Sequence, residues 1–294
     1  MQRRRFTSGL VFSGPAVLAL GVACIPACGR ATSPGTPPAA LALAAVPSTP
    51  PLVADAGTST YLMSALVASP SAAASEPPDN AACPDGMILV DGEYCPNVEQ
   101  TCLEWLEPPG DPYEHFRCKK YKAPAVCKGP RVHERFCIDE TERTEPGSDL
   151  PRNHMSWTSA TQLCEADGAR LCKTREWQFA CEGEEMRPYP YGWERDSAAC
   201  NVDVMHGLGK VGRLVDHRTP ASAHPACVSP FGVHDMAGNV DEWATVEGAP
   251  RGKREVMKGS WWLPGRHACR SFQGGHGAMY GGTESGARCC KDAL

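Results

Sequence analysis

Fourteen cysteines crowd the stretch from Cys83 to Cys290, and nothing else constrains this chain so tightly. The sequence holds sixteen in 294 residues, and the other two, Cys24 and Cys28, close an N-terminal leader. An even count downstream of such a leader reads as a disulfide framework. Structural zinc is the rival, but the chain has no repeated CxxC pair and no Cys-x₂-Cys followed by spaced histidines. Seven bridges at about 2–4 kcal/mol each can stabilise a domain rich in loops. The 27 prolines and 29 glycines agree with such a domain.

The leader covers residues 1–28. Arg3, Arg4 and Arg5 form a positive start, and Leu10 to Ala23 an apolar run interrupted by Pro15. That run is short for a membrane span. Cys24 and Cys28 each follow an imperfect lipoprotein-type cleavage box, so lipidation at one of them and simple secretion are both open. The expected location is exported: periplasmic, outer-membrane or cell-surface lipoprotein, or secreted. Residues 29–80 are mostly Ala, Pro, Ser and Thr and lack the large apolar groups that offset the entropy of ordering. They read as a flexible tether. A net charge of −5 gives no nucleic-acid footprint.

Residues 81–294 read as one α+β domain of short strands, two helices and long loops. Met87 to Val90 predicts a strand closed by an Asp91-Gly92 turn, with Glu93 to Cys95 returning. Pro96 to Pro130 predicts a stapled surface loop, Arg135 to Asp139 a strand, and the acidic run Glu140 to Asp149 a solvated segment. Thr158 to Asp167 has helical spacing behind a Ser156 or Thr158 cap and ahead of Gly168. Thr174 to Glu182 predicts a second helix, capped by Thr174 and stopped by Gly183. Lys258 to Trp262 reads as strand-like. Phe231 to Trp243 fits neither a plain helix nor a plain strand. Gly232 and Gly238 let the backbone turn sharply, so carbonyls can converge between the carboxylates of Asp235 and Glu242. That makes a cradle for Ca²⁺ or an Asx-type turn that caps backbone N–H groups.

Several ordered motifs now resemble one family. Ser156-Trp157 to Cys164, Gly168 to Leu171, Glu176-Trp177 to Gly183, Tyr189-Pro-Tyr-Gly192, Phe231 to Trp243, Lys258-Gly-Ser260-Trp and Gly286-Ala-Arg288-Cys289 are similar to the formylglycine-generating-enzyme, or sulfatase-modifying-factor, domain. The resemblance covers roughly Cys83 to Leu294 and implies an irregular fold related to C-type lectins. It implies calcium held by Asp235 and Glu242 with the Gly238 and Val240 carbonyls. It also implies a second calcium at Asn201-Val202, whose Asp partner aligns only roughly, with Asp216. It pairs Cys164 with Cys289 and Cys181 with Cys269, and leaves Cys172 beside Cys290; Cys200 and Cys227 flank one loop. The order among Cys83, Cys95, Cys102, Cys118, Cys127 and Cys137 stays open.

The chain departs from the family where the chemistry lies. Formylglycine-generating enzymes bind Cu(I) with two cysteines shortly after the late Gly-Ser. Here Gly259-Ser260 is followed by Trp261, Trp262 and Leu263, and the resemblance assigns the nearest cysteine, Cys269, to a bridge. A soft Cu(I) ion then has no thiolate pair, so neither copper nor formylglycine-generating activity is expected. The function expected is a calcium-braced binding module on the cell envelope, with a protein, peptide or glycan ligand. Its surface would use Trp261, Trp262, Arg266 and His276. Arg266, Arg270 and Arg288 are also expected to pair with acids. The alternative is an oxidoreductase with a non-thiolate metal, iron staying open, that draws on Ser260, His267 and His276.

Overall fold

The computed structural model describes residues 82–205 and 214–294. The expected leader (1–28) and tether (29–80) lie outside the described residues. Among those residues no helix is long and apolar enough to cross a membrane.

Strand β1 (Met87–Tyr94) opens the domain. A small insertion follows: β2 (Val98–Glu99), β3 (Cys102–Trp105), β4 (Cys118–Tyr121) and β5 (Val126–Cys127). Then come β6 (Val132–Asp139), α1 (Trp157–Ala166), β7 (Arg170–Leu171), α2 (Thr174–Glu182), β8 (Asp241–Thr245), β9 (Glu255–Lys258), β10 (Ser285–Ala287) and β11 (Cys289–Asp292). The main sheet runs β1-β6-β11-β7, and a second sheet runs β10-β8-β9. The α+β, loop-rich fold expected from the sequence is present.

Alternation along the main sheet sets the layers. Val90, Phe136, Ile138 and Cys290 pack with Trp177, Phe179 and Cys181 around α2. Their neighbours in sequence, Leu89, Cys137 and Cys289, pack with Ala160 and Cys164 around α1. Successive strand residues face opposite sides, so adjacent cysteines reach different layers. Cys289 is bridged to Cys164 and Cys290 to Cys172. Cys181–Cys269 and Cys200–Cys227 complete the expected set. The six left open pair as Cys83–Cys137, Cys95–Cys127 and Cys102–Cys118. The last two staple the β2–β5 insertion.

Four local expectations are corrected. Asp91-Gly92 is no turn: β1 runs straight through it, with Gly92 opposite Glu134 on β6. A Cβ on Gly92 would sit 2.7 Å from a Glu184 carboxylate oxygen and 3.3 Å from the Phe179 ring, so the glycine serves a close tertiary approach. Helix α2 begins one residue after its cap, Lys173, whose N–H donates to the Glu176 carboxylate at 2.8 Å. Strand β9 stops at Lys258, because Gly259 and Ser260 both turn to positive φ, 85° and 63°. The run Glu140 to Asp149 is not wholly solvated, since Glu142 is only 2% exposed. Helix α1 follows expectation: Ser156 caps it in a reciprocal box with Ser159.

Candidate functional site

The loop from Phe231 to Val240 takes the sharp course its glycines and acids suggest. Asp235, Gly238 and Asn239 all have positive φ, at 57°, 83° and 58°. A Cβ on Gly238 would overlap the Asn201 carbonyl, so no other residue fits there. The Asn239 N–H donates to that same carbonyl at 3.0 Å. The Asn201 amide donates to the His217 carbonyl at 2.8 Å and to the Asn239 side-chain oxygen at 2.9 Å. Asp216, the rough partner for a second calcium, is instead turned onto Arg218 at 2.8 Å. Asn201 and Val202 thus act here as a strut behind Gly238.

Strand β8 leaves this loop with two successive acids, Asp241 and Glu242, which the pleat sends to opposite faces. Glu242 meets Arg288, fully buried, through contacts at 2.7–3.0 Å. The Trp177 indole N–H donates to it at 2.5 Å. Arg288 also donates to the Asp139 and His234 carbonyls at 2.9 and 2.8 Å. Arg270 pairs in the same manner with buried Glu182 at 2.6 Å, so both arginines bind acids as expected. Lys258, opposite Glu242 on β9, donates to the Ser271 carbonyl at 2.6 Å and lies 5.1 Å from the Trp177 ring centre. Burial pushes its ammonium down to about 7.

Beside this paired acid lies a carboxylate that sequence reasoning missed. Glu142 accepts from the Asn239 side-chain amide at 2.7 Å and from the Val240 N–H at 3.2 Å. Burial, then the charges of Asp235 and Glu242, holds its carboxyl well above the usual range. Burial also raises Asp235, which accepts the Ser222 N–H at 2.7 Å. Three buried acids therefore face one buried guanidinium. That surplus of negative charge suits a divalent cation, with Asp235 and the Gly238 and Val240 carbonyls as hard ligands. Glu242 is committed to Arg288, which leaves Glu142 the better second carboxylate. Still, among the described residues no group of three or more His, Cys, Asp or Glu side chains converges as metal ligands.

On the other face of β8 a cleft of about 340 Å³ opens. Asp241 is at its floor, fully buried. One carboxyl oxygen accepts the Gln273 side-chain amide at 2.7 Å; the other has no partner. Burial first, then the negative charge of Glu284, drives this carboxyl well above the usual range. Gln273 is held by paired backbone bonds to Met257, both 2.9 Å. Ser260, Trp261, Arg266, Phe272 and, from the stapled insertion, Phe116 form the walls.

The wall loop is pinned from behind. Asp203 grips Arg195 through two 2.8 Å contacts. Arg195 donates to His267 Nδ1 at 2.6 Å and to the Gly265 carbonyl at 2.9 Å. Since Arg can only donate, His267 keeps its proton on Nε2 and gives it to the Trp261 carbonyl at 2.8 Å. Burial and Arg195 hold its imidazole down at about 4. His267 is therefore a neutral buried strut, not a catalytic base. The pinning turns Trp261 toward the cleft and Trp262 into the core, fully buried, so Trp262 offers no binding surface. Arg266 is exposed over the Phe116 ring at 4.9 Å. His276 stacks on Tyr280 at 4.0 Å and does not line the cleft. Ser260 does line it, and no histidine is among the lining residues.

All fourteen cysteines from Cys83 onward are bridged, Cys269 to Cys181 among them. No thiolate remains below Ser260. A mouse protein named inactive C-alpha-formylglycine-generating enzyme 2 is 30% identical over 129 residues, 39% of this chain and 38% of that protein. Hercynine oxygenase of Mycolicibacterium smegmatis is 32% identical over 104 residues, 34% of this chain and 22% of that protein. The chain thus spans well under half of either relative. Among solved structures, CarF gives a TM-score of 0.46 at 16% identity, covering 70% of this chain and 97% of that one. The model of the sulfatase-modifying factor enzyme 1-like domain matches residues 98–293, and to that family, the formylglycine-generating-enzyme-like domains, this chain belongs.

Proposed function

We propose that this domain has given up the oxidase chemistry of its family and acts as an exported binding module. Its ligand, a protein, peptide or glycan, is received in the cleft beneath Ser260. The observation that carries this reading is the closure of Cys269 into a bridge with Cys181, together with a cleft lined by aromatic side chains, one acid, one amide and one arginine. Oxygen activation by Cu(I) in this family needs a soft thiolate pair, and no side chain of the cleft supplies one. Protein incubated with Cu(I) and a cysteine-containing peptide should yield no aldehyde; turnover above a Cys269→Ser control would overturn the reading.

Export and a lipid anchor at Cys24 or Cys28 are part of the proposal. The seven bridges support export, since such a domain needs an oxidising environment. Calcium at the Phe231–Val240 loop is proposed as a brace: it would add hard-ion charge to hold Asp235, Glu142 and the loop carbonyls together. Added EDTA should lower the melting temperature and excess calcium restore it. An unchanged melting temperature would remove the brace and leave the binding reading standing.

A further inference from the structure

The floor of the cleft holds an acid that the fold itself does not satisfy. One Asp241 oxygen is buried with no hydrogen-bond partner. Leaving such a group unpaired costs about 1–3 kcal/mol, and a fold that keeps one invites a reason. Its neighbours on other elements are Gln273, which spends its amide on the second oxygen, and the Ser260 N–H. The nearby charges are Glu284 before β10 and Glu242 behind the strand, already neutralised by Arg288. The cation on the wall, Arg266, stacks on the Phe116 ring, itself a wall of the cleft. The local field at the floor is therefore negative, and the acid faces a space large enough for a small organic group. Around it stand the rings of Trp261, Phe116 and Phe272, the last 62% exposed. Aromatic faces over a buried acid favour a cation with N–H donors. An anionic group would be repelled by the same floor.

We propose that the cleft takes a ligand bearing an alkylammonium or guanidinium group, which docks its N–H donors on Asp241 beneath the aromatic walls. This rests on the reading of the cleft as a ligand site.

The test is calorimetric titration of the full chain with three probes of like size: 2-phenylethylammonium, 2-phenylethanol and 3-phenylpropanoate. The ammonium should bind at least roughly tenfold tighter than the alcohol, and lose that advantage in Asp241→Asn. Equal binding of ammonium and alcohol would overturn the cation proposal and leave the ligand cleft standing. Tighter binding of the carboxylate would also overturn it. Failure of all three to bind would remove the ligand cleft and the proposal together. Should Asp241→Asn not fold, the order of the three affinities in the unmodified protein decides alone.

Discussion

Asp241 and Glu242 are neighbours on one strand, both fully buried, and the fold treats them in opposite ways. Glu242 is closed off by Arg288 and Trp177. Asp241 keeps a free oxygen over an open cleft. A buried charge with its partner present is structural wiring. Removing one partner is then far more harmful than replacing both. A buried acid without its partner is a cost that the fold itself never offsets, which is the mark of a site. The pleat of β8 separates the two roles by a single residue.

Breaking the wired side should produce the largest effect. Arg288→Leu leaves Glu242 uncompensated beside Glu142 and Asp235. It should cost about 3–5 kcal/mol, read as a lowered denaturant midpoint or a failure to fold. Arg288→Leu combined with Glu242→Leu should recover much of that loss, because the pair is removed together. A double variant as unstable as the single would show that Arg288 works mainly through the Asp139 and His234 carbonyls.

The cleft side should respond weakly, and with opposite sign. Asp241→Asn keeps the shape and removes the buried ionisable group, so stability at neutral pH should be unchanged or higher by about 1 kcal/mol. The pH dependence sharpens the contrast. The folded acid is raised above its unfolded value, so above about pH 4 the native state binds a proton that the unfolded chain has lost. Stability contributed by that proton is present at low pH and is lost as pH rises through the folded value. Asp241→Asn should remove this downward slope from a series of denaturant melts. An identical slope in both proteins would mean that Asp241 is already ionised and paired.

What the sequence revealed follows from how local each cause is. Helix α1 was legible because its cap and stop lie within a few residues, Ser156 and Gly168. Cys164–Cys289 and Cys181–Cys269 were legible through the resemblance, Cys172–Cys290 as what those pairs leave, and Cys200–Cys227 from the loop they flank; the alternation at Cys289 and Cys290 gives the two pairs there a physical reason. Gly92 was misread because its smallness answers to Glu184 and Phe179, some ninety residues away. Glu142 was hidden in an acidic run, since its burial depends on Asn239 and Val240. Trp261 and Trp262 are indistinguishable in sequence; their opposite fates are set by the Asp203–Arg195–His267 strut behind the loop. Asp241 and Glu242 both read as parts of one acidic turn, and only the start of a strand at Asp241 divides them.

The state of Cys269 separates a bridged scaffold from a soft-metal site. Peptide mapping of the non-reduced protein, alkylated before digestion, asks the question directly. We predict that Cys181 and Cys269 are recovered as one linked pair, with no alkylated Cys269. Recovery of Cys269 as a free, alkylated thiol, with a second unbridged cysteine beside it, would contradict the account and return the cleft to soft-metal chemistry.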